Sequence, residues 1–172
     1  MGVLVAAALL LSLERACYLW TYYRPDDFRA RWAGLDLDPV GAMRVLFAAF
    51  KAIQIGVFVW WCYVFGGGTV WPTAPSPVVT AGAVALVGAG QALNAAVFYR
   101  MGATTVLYGA SFGREVRWSR AFPYSWLDHP QYVGVVMSIW GFFLFMRFPH
   151  ADWAVLPAVE TFYYVAAARW ER

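Results

Sequence analysis

At 172 residues the chain has the length of one domain, yet 62% of it is hydrophobic and only 13% is charged, where a soluble domain carries about a quarter charged residues. That composition excludes an ordinary soluble globule and points to the bilayer. The formal net charge of +3 comes with no basic array interleaved with aromatics, so nucleic acid is not expected as a partner.

In chain order, five apolar runs are predicted as helices: residues 2–22, 40–65, 77–99, 132–147 and 153–169. Backbone groups in lipid must be satisfied within the segment, and no alternating barrel pattern is present, so the spans are helical. The expected fold is an all-α integral membrane protein, a bundle of about five hydrophobic helices forming a single domain over residues 1–172. The first run has no basic n-region and no small-residue cleavage site ahead of Glu14 and Arg15, which reads as a retained helix rather than a signal peptide. WPTAPSP at 71–77 separates the second and third runs, with Pro77 suited to a first helical turn. The last two runs are near the lower limit for spanning, and FPHAD between them predicts a tight hairpin.

Arginine placement orients the bundle. Arg24, Arg29, Arg31 and Arg44 lie between the first two runs, Arg100, Arg114, Arg117 and Arg120 between the third and fourth, and Arg169 and Arg172 close the chain. On the other face stands Arg147 alone. The positive-inside rule then puts both long loops and the C-terminus inside and the N-terminus outside. A first helix resting in the inner leaflet would change only the N-terminal placement. Trp20, Tyr22 and Tyr23 at one end and Trp60, Trp61 and Tyr63 at the other read as interfacial belts. Cys17 and Cys62 fall near opposite ends of adjacent helices, too far apart for a disulfide.

Glu14, Lys51 and Glu160 lie inside apolar runs, where an isolated charge costs at least about 2.5 to 3.5 kcal/mol. Glu14 and Lys51 sit at similar depths and are expected to pair, the rival role for Lys51 being contact with a substrate phosphate. Arg15 is expected to snorkel to the inner interface. Glu160, in mid-span, faces either a water-filled cavity in a functional role or a buried hydrogen-bond partner in a structural one. Two histidines and two separated thiols cannot assemble the usual ligand set for zinc, so no metal centre is expected.

Between the third and fourth runs, Gly102, Gly109 and Gly113 punctuate a moderately apolar stretch, and Gly88-Ala89-Gly90 lies deeper in the third run. Glycines inside a membrane helix signal close helix packing, or a surface where a planar or charged small molecule lies against the backbone. In LDHPQYVG at 127–134, Pro130 suits the first turn of the fourth helix with His129 or Asp128 at its cap. Free N–H groups and the positive dipole end there attract an anionic group such as a carboxylate.

The ordered set GAG at 88–90, LYGASFG at 107–113, FPYSWLDHPQYVG at 122–134 and Glu171 at the end of the last apolar run resembles the phospholipid N-methyltransferases. These membrane enzymes methylate phosphatidylethanolamine and its partly methylated derivatives toward phosphatidylcholine, and belong with the isoprenylcysteine carboxyl methyltransferase-like group. The resemblance covers roughly residues 80–172 and implies S-adenosylmethionine as cofactor and a membrane phospholipid as substrate. It implies cofactor roles for Gly88, Ala89 and Gly90, for Tyr108, Gly109, Phe112 and Gly113, for His129, Pro130, Tyr132 and Gly134, and for Glu171. The family commonly has two consecutive acidic residues at that last position. Here the chain reads Trp170-Glu171-Arg172, so Glu171 alone is carried over.

These residue types suit that chemistry. The cofactor's cationic groups need an acid, its carboxylate needs donors and its adenine needs apolar or aromatic surface. Glu171, the helix start at His129 and the aromatic-glycine segment answer those needs in turn. Methyl transfer requires a neutral amine in line with the methyl carbon, so positioning supplies much of the acceleration. His129 has the ordinary pKa nearest the task of a base, with Asp128, Glu160 and Glu171 as rivals. Arg114, Arg117 and Arg120 are expected either to hold the lipid phosphate or to anchor the inner interface. The active site is expected on the cytoplasmic face of a bacterial cytoplasmic membrane or of the endoplasmic reticulum. A carboxyl methyltransferase acting on prenylated cysteine, and a non-catalytic lipid-binding membrane protein, are the alternative functions.

Overall fold

The computed structural model describes residues 1–35 and 37–171. Among the described residues six helices run in order: α1 (Gly2–Tyr23), α2 (Pro25–Ala33), α3 (Pro39–Phe65), α4 (Pro77–Val106), α5 (Pro130–Arg147) and α6 (Val155–Trp170). Single 3-10 turns lie at Gly109–Phe112 and Ala151–Ala154, and no strand occurs among the described residues. Three stretches, Gly2–Tyr23, Pro39–Phe65 and Pro77–Phe112, are long and apolar enough to cross a membrane. The protein is therefore an all-α integral membrane protein. Helices α5 and α6 have 18 and 16 residues, which at 1.5 Å per residue reach about 27 and 24 Å, just short of the hydrocarbon thickness.

Local chemistry explains where the helices start. Helices α2, α3, α4 and α5 each open on proline, whose missing N–H is no loss in a first turn. Asp38 and Ser76 cap α3 and α4 by accepting from the backbone N–H of Gly41 at 3.3 Å and Val79 at 3.4 Å, satisfying donors that have no intrahelical partner. Helix α4 outruns its predicted end because Gly102, at φ 76 and ψ 159, turns the chain and lets the helix resume to Val106.

Helix α2 is absent from the apolar pattern because it is polar, with Asp26 and Asp27 in its first turn and Arg31 in its last. Phe28 and Trp32, one turn apart, dock it. Phe28 is fully buried, stacked on Phe112 at 5.5 Å and edge-on to Trp20 at 5.6 Å.

Helices α4 and α5 form the tightest seam of the bundle. A Cβ on Gly90 would lie 2.3 Å from the Gly134 carbonyl oxygen, and one on Gly141 2.7 Å from that of Ala83. Glycine at these points lets two backbones touch, as small residues do in membrane interfaces. Helix α1 packs on α3 and α6, whereas α3 and α4 approach each other far less closely. A cleft therefore opens between α3 and α4.

The arginine-rich loops meet at one end of the bundle. There Arg114 pairs with Asp38, and Tyr22 and Tyr23 donate to the backbone carbonyls of Glu171 and Trp170. Two expectations are corrected. Arg15 does not snorkel: it is 7% exposed, bound to Glu14 and packed among tyrosines. Trp61 is a core residue, packed at 4.4 Å on Phe65, because its face of α3 turns inward. Cys17 and Cys62 are both free. Arg172, counted with the inner-face arginines, lies outside the described residues.

Candidate active site

A cavity of about 920 Å³ lies between α1, α3, α4, α5 and α6. Its α4 wall runs from Ala83 to Phe98, a length of about 22 Å at 1.5 Å per residue. Chemistry divides it into two parts. Toward the arginine-rich end it is lined by Glu14, Arg15, Lys51, Gln54, Gln91, Asn94 and Gln131. Toward the other end the walls are apolar, with Ile55, Phe58, Val84, Phe142 and Phe145. An apolar pocket with a few convergent polar groups is the usual form of a small-molecule site, and this one suits an amphiphile.

The polar part is built on buried charges from α1 and α3. Glu14 lies 2.9 Å from the Arg15 Nη2 and 3.1 Å from the Lys51 Nζ, so the expected Glu14–Lys51 pair forms. Lys51 also donates to Gln54 Oε1 at 3.0 Å and to the Tyr164 hydroxyl at 3.4 Å. Gln54 in turn donates to Glu160 at 2.9 Å. Glu160 is buried behind Gln54 and does not line the cavity, the structural alternative of its two readings. The Arg15 guanidinium lies 4.2 Å from the Tyr164 ring centroid, 5.1 Å from Tyr18 and 5.8 Å from Tyr132.

A second cluster forms where α5 begins and α6 ends. Tyr108 donates to Glu171 Oε1 at 2.8 Å, and Tyr132 donates to the other carboxylate oxygen. The His129 ring stacks on Tyr132 at 5.5 Å and 11°. Tyr132 also lines the cavity, so it is the wall that links His129 and Glu171 to the enclosed space. Tyr108 and Glu171, 63 positions apart in sequence, thus meet directly, and Tyr132 joins His129 to the same carboxylate.

The remaining candidates divide by position. Gly88 lines the cavity, with nothing within 4 Å of where its Cβ would be. Gly90 and Gly134 instead make the α4–α5 seam, and Ala89 is exposed on the helix surface. Gly109 packs on Thr104, whose carbonyl oxygen would lie 2.5 Å from an added Cβ. Gly113, at φ +73, takes the left-handed turn that ends the 3-10 helix. Phe112 faces Phe28 in the core rather than the cavity. Pro130 begins α5, and His129 occupies its cap position by backbone only, with no side-chain cap bond. Asp128 is exposed, as are Arg117 and Arg120. Arg114 binds Asp38, and that hydrogen bond holds the Asp38 carboxyl below the usual carboxylate range. Sequence reasoning placed Arg15 at the interface and gave Gln54, Gln91, Asn94 and Tyr164 no role. The signal for Arg15 and Tyr164 was an arginine beside an in-span glutamate, and a tyrosine one turn from the in-span Glu160.

The sequence profile of the phospholipid methyltransferase family matches residues 78–172, which include the α4–α5 seam, the His129 turn and Glu171. The chain belongs to the phospholipid methyltransferase family. It is accordingly a membrane methyltransferase of phospholipids. It is similar to the phosphatidyl-N-methylethanolamine N-methyltransferase of Arabidopsis thaliana, with 29% identity over 139 residues, covering 81% of this chain and 76% of that protein. No solved structure matches it at a significant level. In this family member the matched region supplies α4, α5 and α6. Glu14, Arg15, Lys51 and Gln54 reach the cavity from helices that precede it.

Proposed function

We propose that this enzyme methylates the amino group of phosphatidylethanolamine or its mono- and dimethyl derivatives with S-adenosylmethionine, at the arginine-rich end taken as the cytoplasmic side. The observation that carries the reading is the junction at Tyr132, where the Glu171–Tyr108–His129 cluster meets an amphipathic cavity. Family membership and the named Arabidopsis relative support the substrate class.

The residues fit such a cofactor. Asn94 Oδ1 is a buried acceptor with no donor, Gly88 leaves open space at the cavity wall, and Glu171 offers a carboxylate beside aromatic surface. Bound there, the cofactor supplies an electrophilic methyl on a sulfonium. Glu171 offsets its positive charge, with Tyr108 and Tyr132 fixing the carboxylate by two hydrogen bonds. Gly88 and Asn94 shape and mark the wall.

The chain's own work on the acceptor is orientation and proton removal. The apolar walls exclude water and align the lipid along the membrane normal, which holds the amine in place for in-line attack. His129, whose ring stacks on Tyr132 of the cavity wall, is the base in this reading. Exposed Asp128 and buried Glu160 are poorly placed for that task. A direct test supplies purified protein with methyl-labelled cofactor and, separately, phosphatidylethanolamine, its monomethyl form and its dimethyl form. Label should appear in at least one lipid. If no lipid is labelled and S-adenosylhomocysteine gives no thermal stabilisation, the function is wrong.

A further inference from the structure

The cavity holds a cation whose hydrogen-bonding capacity is only partly used. The Arg15 Nη2 is engaged by Glu14 at 2.9 Å and by the Tyr164 hydroxyl at 3.3 Å. Its Nε and Nη1 are buried with no acceptor. A guanidinium has five N–H donors in a planar fork, and leaving charged donors unpaired in a dry site is unfavourable. Only one carboxylate, Glu14, pairs directly with the two cations, Arg15 and Lys51; the buried Glu160 is separated from Lys51 by Gln54 and does not line the cavity. An anion brought by the ligand would supply the acceptor that the free Arg15 donors lack.

The rest of the cavity identifies that anion. Beyond Lys51, α3 and α5 line it with Ile55, Phe58 and Phe142, and the weakly packed α3–α4 cleft opens beside Ile55 and Val84, both exposed. From the arginine-rich end inward, the order is titratable cluster, cations, then apolar walls. A phospholipid in the leaflet at that end has the same order of amine, phosphodiester and acyl chain. We propose that Arg15, assisted by Lys51, binds the phosphodiester of the substrate lipid, which enters between α3 and α4; this assignment rests on the function proposed above. Arginine suits phosphate because its charge is permanent and its unpaired Nε and Nη1 each offer a charge-assisted hydrogen bond to a phosphate oxygen. Its guanidinium is 5.8 Å from the Tyr132 ring, so a phosphate held there places the attached amine toward Tyr132 and His129.

The test uses the full chain in mixed micelles, with monomethyl phosphatidylethanolamine as acceptor at varied surface fraction. Arg15→Gln should raise the lipid KM at least tenfold while the cofactor KM and the affinity for S-adenosylhomocysteine stay within twofold, and Arg15→Lys should recover part of the loss. A rise in the cofactor KM with the lipid KM unchanged would overturn the assignment and give Arg15 to the cofactor carboxylate. No change in either would also overturn it, leaving Arg15 as packing within the tyrosines. If Arg15→Gln does not fold, the wild-type enzyme decides. Dihexanoyl phosphatidylethanolamine should inhibit at least tenfold better than a dihexanoyl glycerol carrying an aminoethyl ether and no phosphate, and equal inhibition overturns the assignment. A wild-type protein that neither methylates lipid nor binds S-adenosylhomocysteine overturns the proposed function first, and this assignment with it.

Discussion

Gly88 and Gly90 stand two residues apart, about 200° around the α4 axis, and alanine at each should have opposite consequences. At Gly90 a Cβ would lie 2.3 Å from the Gly134 carbonyl oxygen and 2.5 Å from the Ser138 Oγ, where ordinary contact begins at 3.4 Å. The carbonyl is backbone and cannot swing aside, so α4 and α5 must separate by roughly 1 Å in an interior that is otherwise close-packed. Overpacking of this kind costs about 1 to 3 kcal/mol. For a chain of this size that lowers the melting temperature by roughly 2 to 12 °C. Gly88 has nothing within 4 Å, and alanine in a helix interior is favoured over glycine by about 0.5 to 1 kcal/mol. Gly88→Ala should therefore melt at or slightly above the wild type, yet raise the cofactor KM severalfold because its methyl enters the cavity. Thermal unfolding followed by intrinsic fluorescence in one detergent, with and without S-adenosylhomocysteine, reads both effects. Equal destabilisation by the two variants, or an unchanged melting temperature for Gly90→Ala, would falsify the division between seam and cavity.

Glu171→Gln keeps an acceptor oxygen for one of Tyr108 and Tyr132 and an NH2 that can donate to the hydroxyl of the other but removes the charge, so turnover should fall at least tenfold and the cofactor KM should rise, with little change in melting temperature. A wild-type cofactor KM refutes the role of that carboxylate. Glu14→Gln leaves Arg15 and Lys51 without their shared acid at a position whose side chain is 6% exposed, a loss of about 3 to 5 kcal/mol for a broken buried pair. Lys51→Met should cost less, since its side chain is 25% exposed and Glu14 retains Arg15. The reverse order in thermal unfolding would contradict the network. Asp38 has a lowered folded pKa, chiefly from the Arg114 hydrogen bond. Its stabilisation is present above the unfolded value of about 3.9 and is lost as pH falls through the lower folded value. The stability difference between wild type and Asp38→Asn should thus shrink below about pH 4 and with added salt. A difference that is flat in both pH and salt removes the ion pair as its source.

Spans were legible because lipid and core demand the same long apolar runs, and α1, α3 and the last two helices begin and end within two residues of where hydropathy places them. Helix α2 was not, since only Phe28 and Trp32 turn inward and two apolar side chains in a polar nine-residue helix leave little periodicity. Pairing of Glu14 with Lys51 was legible because each charge in an apolar run needs a partner at its own depth. Arg15 was misread for a related reason: a short path to the interface and a buried acid beside it look alike until neighbouring helices are placed. Trp61 was misread because an aromatic near a helix end serves a belt or a core according to which way its face turns.

By itself the sequence determined the membrane class, the shared end of the arginine-rich loops and the family-like set of GAG, LYGASFG, the His129 turn and Glu171. Those follow from composition and local order along the chain. Only the tertiary structure decided that Gly88 faces a cavity while Gly90 closes a seam, that Phe112 is core, and that Glu171 reaches Tyr108 and Tyr132. Each of these depends on how far one helix is rotated and separated from another. Packing of distant side chains sets those two quantities, and neither is encoded in the spacing of residues within a single run.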